Sequence, residues 1–172
     1  MFILFLVSLW AIRLASHIGF RNIGHGEDFR YVEWRKESGK NYWWHSFIRV
    51  FLLQGGLCTL VGVSIYFGYL NEEPLSFIET MFASTIFFIG LAWESISDLQ
   101  LKAFRKDPKN KGKICKSGLW KYSRHPNYFG DLVVWISIFT FSISSENLLF
   151  IAGSFLSPLI MGLIFYYITG PM

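Results

Sequence analysis

The sequence predicts an all-α fold, a polytopic transmembrane bundle with about five helices in this chain of 172 residues. Hydrophobic residues make up 52% of the chain. They lie in blocks close to the roughly 20 residues that a helix needs to cross a bilayer. The two cysteines do not form a Cys-x-x-Cys pair, so neither a disulfide framework nor a thiol redox motif is indicated. These observations exclude a soluble globular class.

Five apolar blocks define the predicted spans of a single transmembrane domain, 1–172. The spans lie at about 2–20, 47–70, 75–101, 131–143 and 148–168. The fourth is short, and a backward extension through "NYFGD" would lengthen it. The opening "MFILFLVSLWAI" lacks a basic n-region and a small-residue cleavage site, which indicates a transmembrane helix rather than a signal peptide. Because apolar blocks stand close to both termini, we expect the chain to be truncated at both ends.

The positive charges lie on one side of the predicted membrane. Arg13 is the one cation in the first apolar block, and the others cluster in or beside two loops, 21–46 and 102–130. The short connections "NEEP" and "SSEN" carry none. The positive-inside rule therefore predicts a multi-pass protein with both cationic loops in the cytoplasm. The membrane would be the endoplasmic reticulum in a eukaryote and the inner membrane in a bacterium.

Several ligand classes are excluded by missing motifs. The stretch "GHGED" at 24–28 lacks the third glycine of a dinucleotide fingerprint and follows no strand. The four histidines have no second ligand at metal spacing, so no metal site is expected. The net charge of +4 reflects the cytoplasmic cation excess, and no nucleic-acid partner is expected. The expected partners are the lipid bilayer and a lipophilic small molecule, and the oligomeric state is not predicted.

A polar helix face lies at the end of the third span, in "WESISDLQLKAFR". Glu94, Asp98 and Lys102 recur at intervals of four residues, and Arg105 lies one turn further on. On a helix they share one face, and acids near the hydrocarbon boundary usually line a polar cavity. The face predicts either a ligand pocket, with acids for hydroxyls or amines and cations for phosphate, or an Asp98–Lys102 salt bridge at the water interface.

The densest polar chemistry lies in "GLWKYSRHPNYFGD", directly before the fourth span. Pro126 fixes the local backbone and restricts the preceding residue to extended conformations, and Gly130 permits close approach of a helix or a ligand. The segment also offers cations and hydrogen-bonding groups, at Lys121, Tyr122, Arg124, His125, Asn127 and Tyr128. Together they predict a semi-rigid lid for a large, flat, anionic ligand, which a nucleotide cofactor fits.

The segment "SRHPNYFGD" resembles the C-terminal signature of the steroid 5-alpha-reductase superfamily, and most closely that of its uncharacterised short membrane proteins. The stretch "ESISDLQLKAFR" resembles the superfamily's NADPH-pocket stretch just upstream, and the resemblance covers most of the chain from Arg13 onward. It places Gln54 at a substrate-pocket position. It also implies a set of cofactor-binding residues, to which we add Arg124 of the lid. The full set is Arg21, Glu94, Asp98, Lys102, Arg105, Tyr122, Arg124 and Asn127.

The resemblance implies an integral-membrane oxidoreductase that uses NADPH to reduce a C=C bond conjugated to a carbonyl in a sterol-like or enoyl-lipid-like substrate. His125 or Tyr128 would donate the proton. Isoprenylcysteine and phospholipid methyltransferases carry a similar "RHP-x-Y-x-G" signature, so a methyltransferase using S-adenosylmethionine stays open. An inactive lipid-binding relative or a fragment stays open too. The two cations of the polar helix face favour NADPH, because the methyl donor carries no phosphate.

Overall fold

The computed structural model describes residues 2–24, 26–70, 75–143 and 147–169. Within these ranges the secondary structure is helical and contains no strand. The predicted all-α class is confirmed. Met1, His25, residues 71–74 and 144–146 of the two short connections, and the last three residues lie outside the described residues. The helices are α1 Phe2–Asn22, α2 Phe29–Ser38, α3 Tyr42–Ser46, α4 Leu53–Val61, α5 Val63–Leu70, α6 Phe77–Lys106, α7 Pro126–Thr140 and α8 Leu148–Thr169.

Four helical segments in the described residues are long and apolar enough to cross a membrane. They are Phe2–Asn22, Phe29–Leu70, Phe77–Lys106 and Leu148–Tyr167, so each overlaps one predicted span. The fourth predicted span corresponds to α7, which has 15 residues and is therefore only about 22 Å long. It begins at Pro126 and ends at Thr140, so the predicted extension through "NYFGD" is part of the helix and the predicted end at 143 lies beyond it. Proline suits this first position because its fixed φ is helical and its missing N–H would have no partner there.

The predicted loop 21–46 is largely helical, which corrects its interpretation as a loop. Asp28 caps α2, because its carboxylate accepts a hydrogen bond from the Arg30 backbone N–H at 3.0 Å. Hydrogen bonds from Arg30 lower the pKa of Asp28 to about 2. From α2 to Leu70 the chain is largely helical over 42 residues, with a break at Gly39, whose φ is +51°. A helix needs about 20 residues to cross the hydrocarbon, so the polar part of this segment has to lie outside the bilayer.

This long segment changes its winding where its polar part meets its apolar part. A 3₁₀ turn, Gly39–Asn41, separates α2 from α3, and a π-helical stretch, Phe47–Leu52, leads into α4. The apolar pattern predicted a helix only from residue 47, since α2 is polar overall and has no buried residue. Hydrogen bonding at the Asp28 cap, rather than hydrophobic burial, marks where the helix begins.

Helices α6 and α7 pack closely through two glycines. A Cβ atom on Gly130 would lie 2.5 Å from the backbone nitrogen of Glu94, and one on Gly90 would lie 2.8 Å from the Gly130 carbonyl oxygen. The predicted close approach at Gly130 is therefore an approach to a helix. Small residues permit such packing between membrane helices. The contact places the first turns of α7 against the polar face of α6.

The buried core lies between the N-terminal halves of α1 and α6 and the C-terminal half of α7. Leu6, Phe87, Val134 and Ile138 are fully buried there. On the other side, α5 packs on α8, where the Ser64 backbone N–H donates to the Ser157 hydroxyl oxygen at 3.0 Å. The core thus holds α1 beside α6 and α7, which positions the candidate site.

Candidate functional site

An ion-pair cluster joins α1 to α6. The Arg13 guanidinium donates from Nη1 to Glu94 Oε1 and from Nη2 to Asp98 Oδ2, both at 2.6 Å, and from Nε to Ser95 Oγ at 3.0 Å. His17 Nε2 lies 3.7 Å from the same oxygen of Asp98. Both carboxylates are buried, with 4% and 7% of their surface exposed. The repulsion between two acids one helical turn apart is therefore relieved by a cation from another helix.

The alternative salt bridge between Asp98 and Lys102 is absent from the described residues, so the prediction of that pair is wrong. Lys102 is exposed, and Asp98 pairs with Arg13. An arginine held at bonding distance in a less hydrated site is a better partner for the acid than a lysine at the water interface. This leaves the cations of the predicted helix face separate from its acids.

The first turns of α7 add a third acid to the cluster. Asn127, Gly130 and Asp131 share one face of α7, and Gly130 lies against Glu94. Three oxygens of this cluster are buried and make no hydrogen bond, namely Glu94 Oε2, Asn127 Oδ1 and Asp131 Oδ1; elsewhere in the described residues the same holds for the hydroxyl oxygens of Ser142 and Ser154. The site therefore contains unbonded acceptor oxygens from both α6 and α7, close to the contact between Gly130 and Glu94.

Indole rings surround these acids. Trp10 directs its indole N–H toward Glu94 and Trp135 directs its own toward Asp131, and the two rings meet edge to face with centroids 5.5 Å apart. The indole nitrogens of Trp10, Trp93 and Trp135 are buried and complete no hydrogen bond in the described residues. The rings separate the acids from solvent, and the cluster keeps more carboxyl groups than cations.

The two predicted catalytic residues are in contact with each other. The His125 ring stacks on Tyr128 with centroids 5.2 Å apart, and Tyr128 stacks on Phe165 of α8 at 4.7 Å. Partial burial and the neighbouring Arg124 lower the pKa of His125 below its usual 6.5, so its imidazole is neutral at pH 7. A neutral imidazole has one nitrogen that donates and one that accepts a proton.

The predicted lid is attached to the helix that carries two of the acids. The Leu119 backbone N–H donates to Gln100 Oε1, and the Trp120 indole N–H donates to the Ser97 carbonyl oxygen, both at 2.9 Å. Gly118 has a φ of +59°, and a Cβ atom there would lie 2.5 Å from the Gln100 amide. These contacts fix the lid segment before it enters α7.

The remaining predicted site residues lie outside the cluster. Gln54 is exposed on α4 and has no hydrogen bond to the cluster among the described residues. Lys121 contacts the Tyr122 ring at 5.9 Å. The predicted cofactor residues that are exposed are Arg21, Lys102, Arg105, Tyr122 and Arg124. Their cofactor roles stay predictions, as do those of the buried acids, Asn127 and the two catalytic candidates.

Arg13, His17, Trp10 and Asp131 were not among the predicted site residues. A signal for two of them was present, because Arg13 and His17 are spaced four residues apart, as are Glu94 and Asp98. Two helices with complementary charges at the same spacing can pair face to face. A lone arginine within an apolar block is also a functional signal in its own right.

Comparison with known proteins identifies the family. The family model described as "Protein of unknown function (DUF1295)" matches residues 1–171. "Probable O-methyltransferase ustE" of Ustilaginoidea virens is 42% identical over 52 residues, which cover 30% of this chain and 18% of that protein. "Uncharacterized protein C594.04c" of Schizosaccharomyces pombe is 27% identical over 173 aligned residues, which cover 87% of this chain and 50% of that protein.

The chain thus spans half the length of the second relative and a smaller part of the first. No solved structure gives a significant match. The family match extends over nearly the whole chain and includes the three helices that build the cluster. The chain belongs to the DUF1295 family of proteins of unknown function.

Proposed function

We propose that the chain is a membrane methyltransferase that uses S-adenosylmethionine to methylate a lipophilic acceptor. The observation that carries this proposal is the set of three buried, unbonded acceptor oxygens of Glu94, Asn127 and Asp131. Buried acceptors require donors, and buried acids require cations. The methyl donor offers an ammonium group, a sulfonium group and ribose hydroxyls. The phosphates of NADPH are anionic acceptors, which this acid-rich site would repel.

The residues present fit such a ligand. Glu94 and Asp131 would bind its cationic and hydroxyl groups, and the Asn127 amide would orient it. When bound, the cofactor supplies an electrophilic methyl group. The indole rings of Trp10 and Trp135 exclude water, which strengthens electrostatic interactions in the site. Where the acceptor is a hydroxyl group, the neutral His125 imidazole accepts its proton at the unprotonated ring nitrogen.

An apolar groove on α6 supports a lipophilic acceptor. The groove has a volume of about 600 Å³, and Phe2, Phe88 and Ala92 are among the residues that line it. Such a volume lies within the range of small-molecule sites. The hydroxyl group of Ser84 on its wall donates to its own helix at 2.6 Å. The groove therefore offers hydrocarbon a surface on the same helix that carries Glu94 and Asp98.

The similarity to a probable O-methyltransferase supports the same reaction class, although it covers 30% of this chain. The signature "RHP-x-Y-x-G" is shared with methyltransferases as well as with steroid reductases. Its histidine and tyrosine stack at the start of α7, next to the unbonded oxygen of Asn127.

A second candidate function is reduction of a conjugated C=C bond with NADPH. The observation that favours it is the group of exposed cations near the lid, which are free to bind phosphates: Lys102, Arg105, Lys121 and Arg124. The resemblance to steroid 5-alpha-reductases supports it as well. In that case the buried acids would bind ribose hydroxyls, and His125 or Tyr128 would donate a proton.

Binding measurements separate these functions. S-adenosylmethionine and NADPH are titrated by calorimetry into the purified chain in lipid nanodiscs, with Asp131→Asn and a Lys102→Ala/Arg105→Ala control. We expect saturable binding of the methyl donor, about tenfold weaker in Asp131→Asn, a loss of about 1.4 kcal/mol, and unchanged in the control. Saturable NADPH binding that the control abolishes would establish the reductase instead. Binding of neither would leave an inactive lipid-binding protein.

A further inference from the structure

We propose that Arg13 is a positioning residue for the cofactor site, an inference that rests on the proposed methyltransferase function. By holding Glu94 Oε1 and Asp98 Oδ2, it leaves Glu94 Oε2 available to the ligand. Arg13 does not contact the ligand itself. It acts through Glu94, while Asp98 holds its other terminal nitrogen, and it makes α1 part of the site.

Three bonds fix the plane of the guanidinium. Its two terminal nitrogens each hold one acid, and Nε donates to Ser95 Oγ. The Ser95 hydroxyl in turn donates to the Leu91 carbonyl oxygen at 2.6 Å. Because its hydrogen is used there, its lone pairs face Arg13. The Ser95 hydroxyl oxygen therefore acts as a hydrogen-bond acceptor for Arg13 Nε.

No other described side chain can replace this bridge. The planar guanidinium of arginine has two terminal nitrogens that can each donate to a different acid, whereas the lysine ammonium is a single point charge. His17 lies 3.7 Å from Asp98 Oδ2, which is beyond hydrogen-bond distance. The orientation of both acids therefore depends on Arg13.

The bridge determines which oxygen of Glu94 is free. Oε1 is held by Arg13 at 2.6 Å, so rotation of the carboxylate is restricted and Oε2 keeps one direction. Oε2 is buried and makes no hydrogen bond in the described residues. Trp10, one turn before Arg13 on α1, lies beside the same carboxylate. The geometry thus presents one unbonded carboxylate oxygen in a site walled by α1.

The experiment combines two arginine substitutions with one in Glu94. Arg13→Lys keeps the positive charge but removes the guanidinium that donates to both acids, and Arg13→Met removes the charge as well. Each is made alone and together with Glu94→Gln, and Arg49→Met is the control because Arg49 is exposed outside the site. We measure the Kd for S-adenosylmethionine and, without cofactor, labelling of Glu94 by dicyclohexylcarbodiimide, mapped by mass spectrometry.

We expect Arg13→Lys to weaken binding at least tenfold and to raise labelling of Glu94 several-fold, while Arg49→Met changes neither. With Glu94→Gln present, Arg13→Lys should cause no further loss, because it acts through Glu94. Wild-type binding by Arg13→Lys, additive losses or unchanged labelling would each overturn the positioning role. If the wild type binds no S-adenosylmethionine but labelling rises as expected, the proposed function fails and the Arg13–Glu94 positioning stands.

Discussion

Gly130→Ala tests the contact that brings α7 to the acids of α6. The added Cβ would lie 2.5 Å from the backbone nitrogen of Glu94 and 2.9 Å from its Cα. Carbon atoms pack at about 3.5–4.0 Å, so the helices must separate by about 1 Å. The neighbouring atoms belong to a helix backbone and cannot rotate away. Overpacking of this kind costs about 1–3 kcal/mol.

Gly56→Ala is the matched control, because Gly56 is also within a helix and a Cβ there would have no atom within 4 Å. Both substitutions gain the same helix propensity, about 1 kcal/mol, so their difference isolates the packing cost. A chain of this size shifts in Tm by about 2–4 °C per kcal/mol. The Gly130 variant should therefore melt about 2–12 °C below the Gly56 variant.

Melting is followed by intrinsic fluorescence in one detergent, since the chain has seven tryptophans. The same separation should weaken binding of the methyl donor, because it moves Asp131 away from Glu94. Equal Tm values for the Gly130 and Gly56 variants would show that α6 and α7 are not in backbone contact, and the site as described would be refuted.

Two further predictions concern the lid. Gly118→Ala should loosen it by about 1–2 kcal/mol and accelerate amide exchange at 118–121, because a Cβ there is strained and meets the Gln100 amide. Gly112→Ala, with a φ of +78° but open space, should leave that exchange unchanged, and equal effects would contradict the contact. The pKa of His125 in the folded chain lies below 6.5. As the pH falls through 6.5, the unfolded chain therefore binds more protons at this residue than the folded chain does, which lowers the free energy of unfolding. The wild type should therefore lose more Tm than His125→Gln between pH 7.5 and 5.5, and parallel losses would exclude this contribution.

The helices could be predicted from the sequence because each apolar block has to bury or face hydrocarbon over its whole length. The fourth span was predicted at 131–143 with a backward extension through "NYFGD", and α7 begins one residue before that extension, at Pro126. The polar helix before residue 47 was missed, since hydropathy cannot separate a polar helix from a polar loop. Its cap at Asp28 is a local hydrogen bond, and an aspartate in a polar stretch is too common to mark a helix by itself.

Two acids of the site, Glu94 and Asp98, were predicted, whereas Asp131 and the pairing with Arg13 were not. Glu94 and Asp98 stand four residues apart in a span, which is unusual enough to indicate a site. Arg13 is 81 residues from Glu94, and their contact depends on how α1 packs against α6. Likewise, the bond from Trp120 to Ser97 depends on the path of the lid. Local patterns contain the chemistry of such residues, while the packing decides which of them meet.

Stability does not explain why the cluster is there. A buried ion pair contributes little compared with apolar residues of the same volume, because the desolvation of its charges offsets their attraction. Within a membrane span the same charges are costly. Arg13 can satisfy one oxygen of each acid, yet Glu94 Oε2 and Asp131 Oδ1 remain buried without a hydrogen bond. The indole N–H groups that face these acids, those of Trp10 and Trp135, do not complete a hydrogen bond with them either. A binding site accounts for these acceptors, since its unbonded oxygens become satisfied when the ligand arrives, and the free energy of that step favours binding.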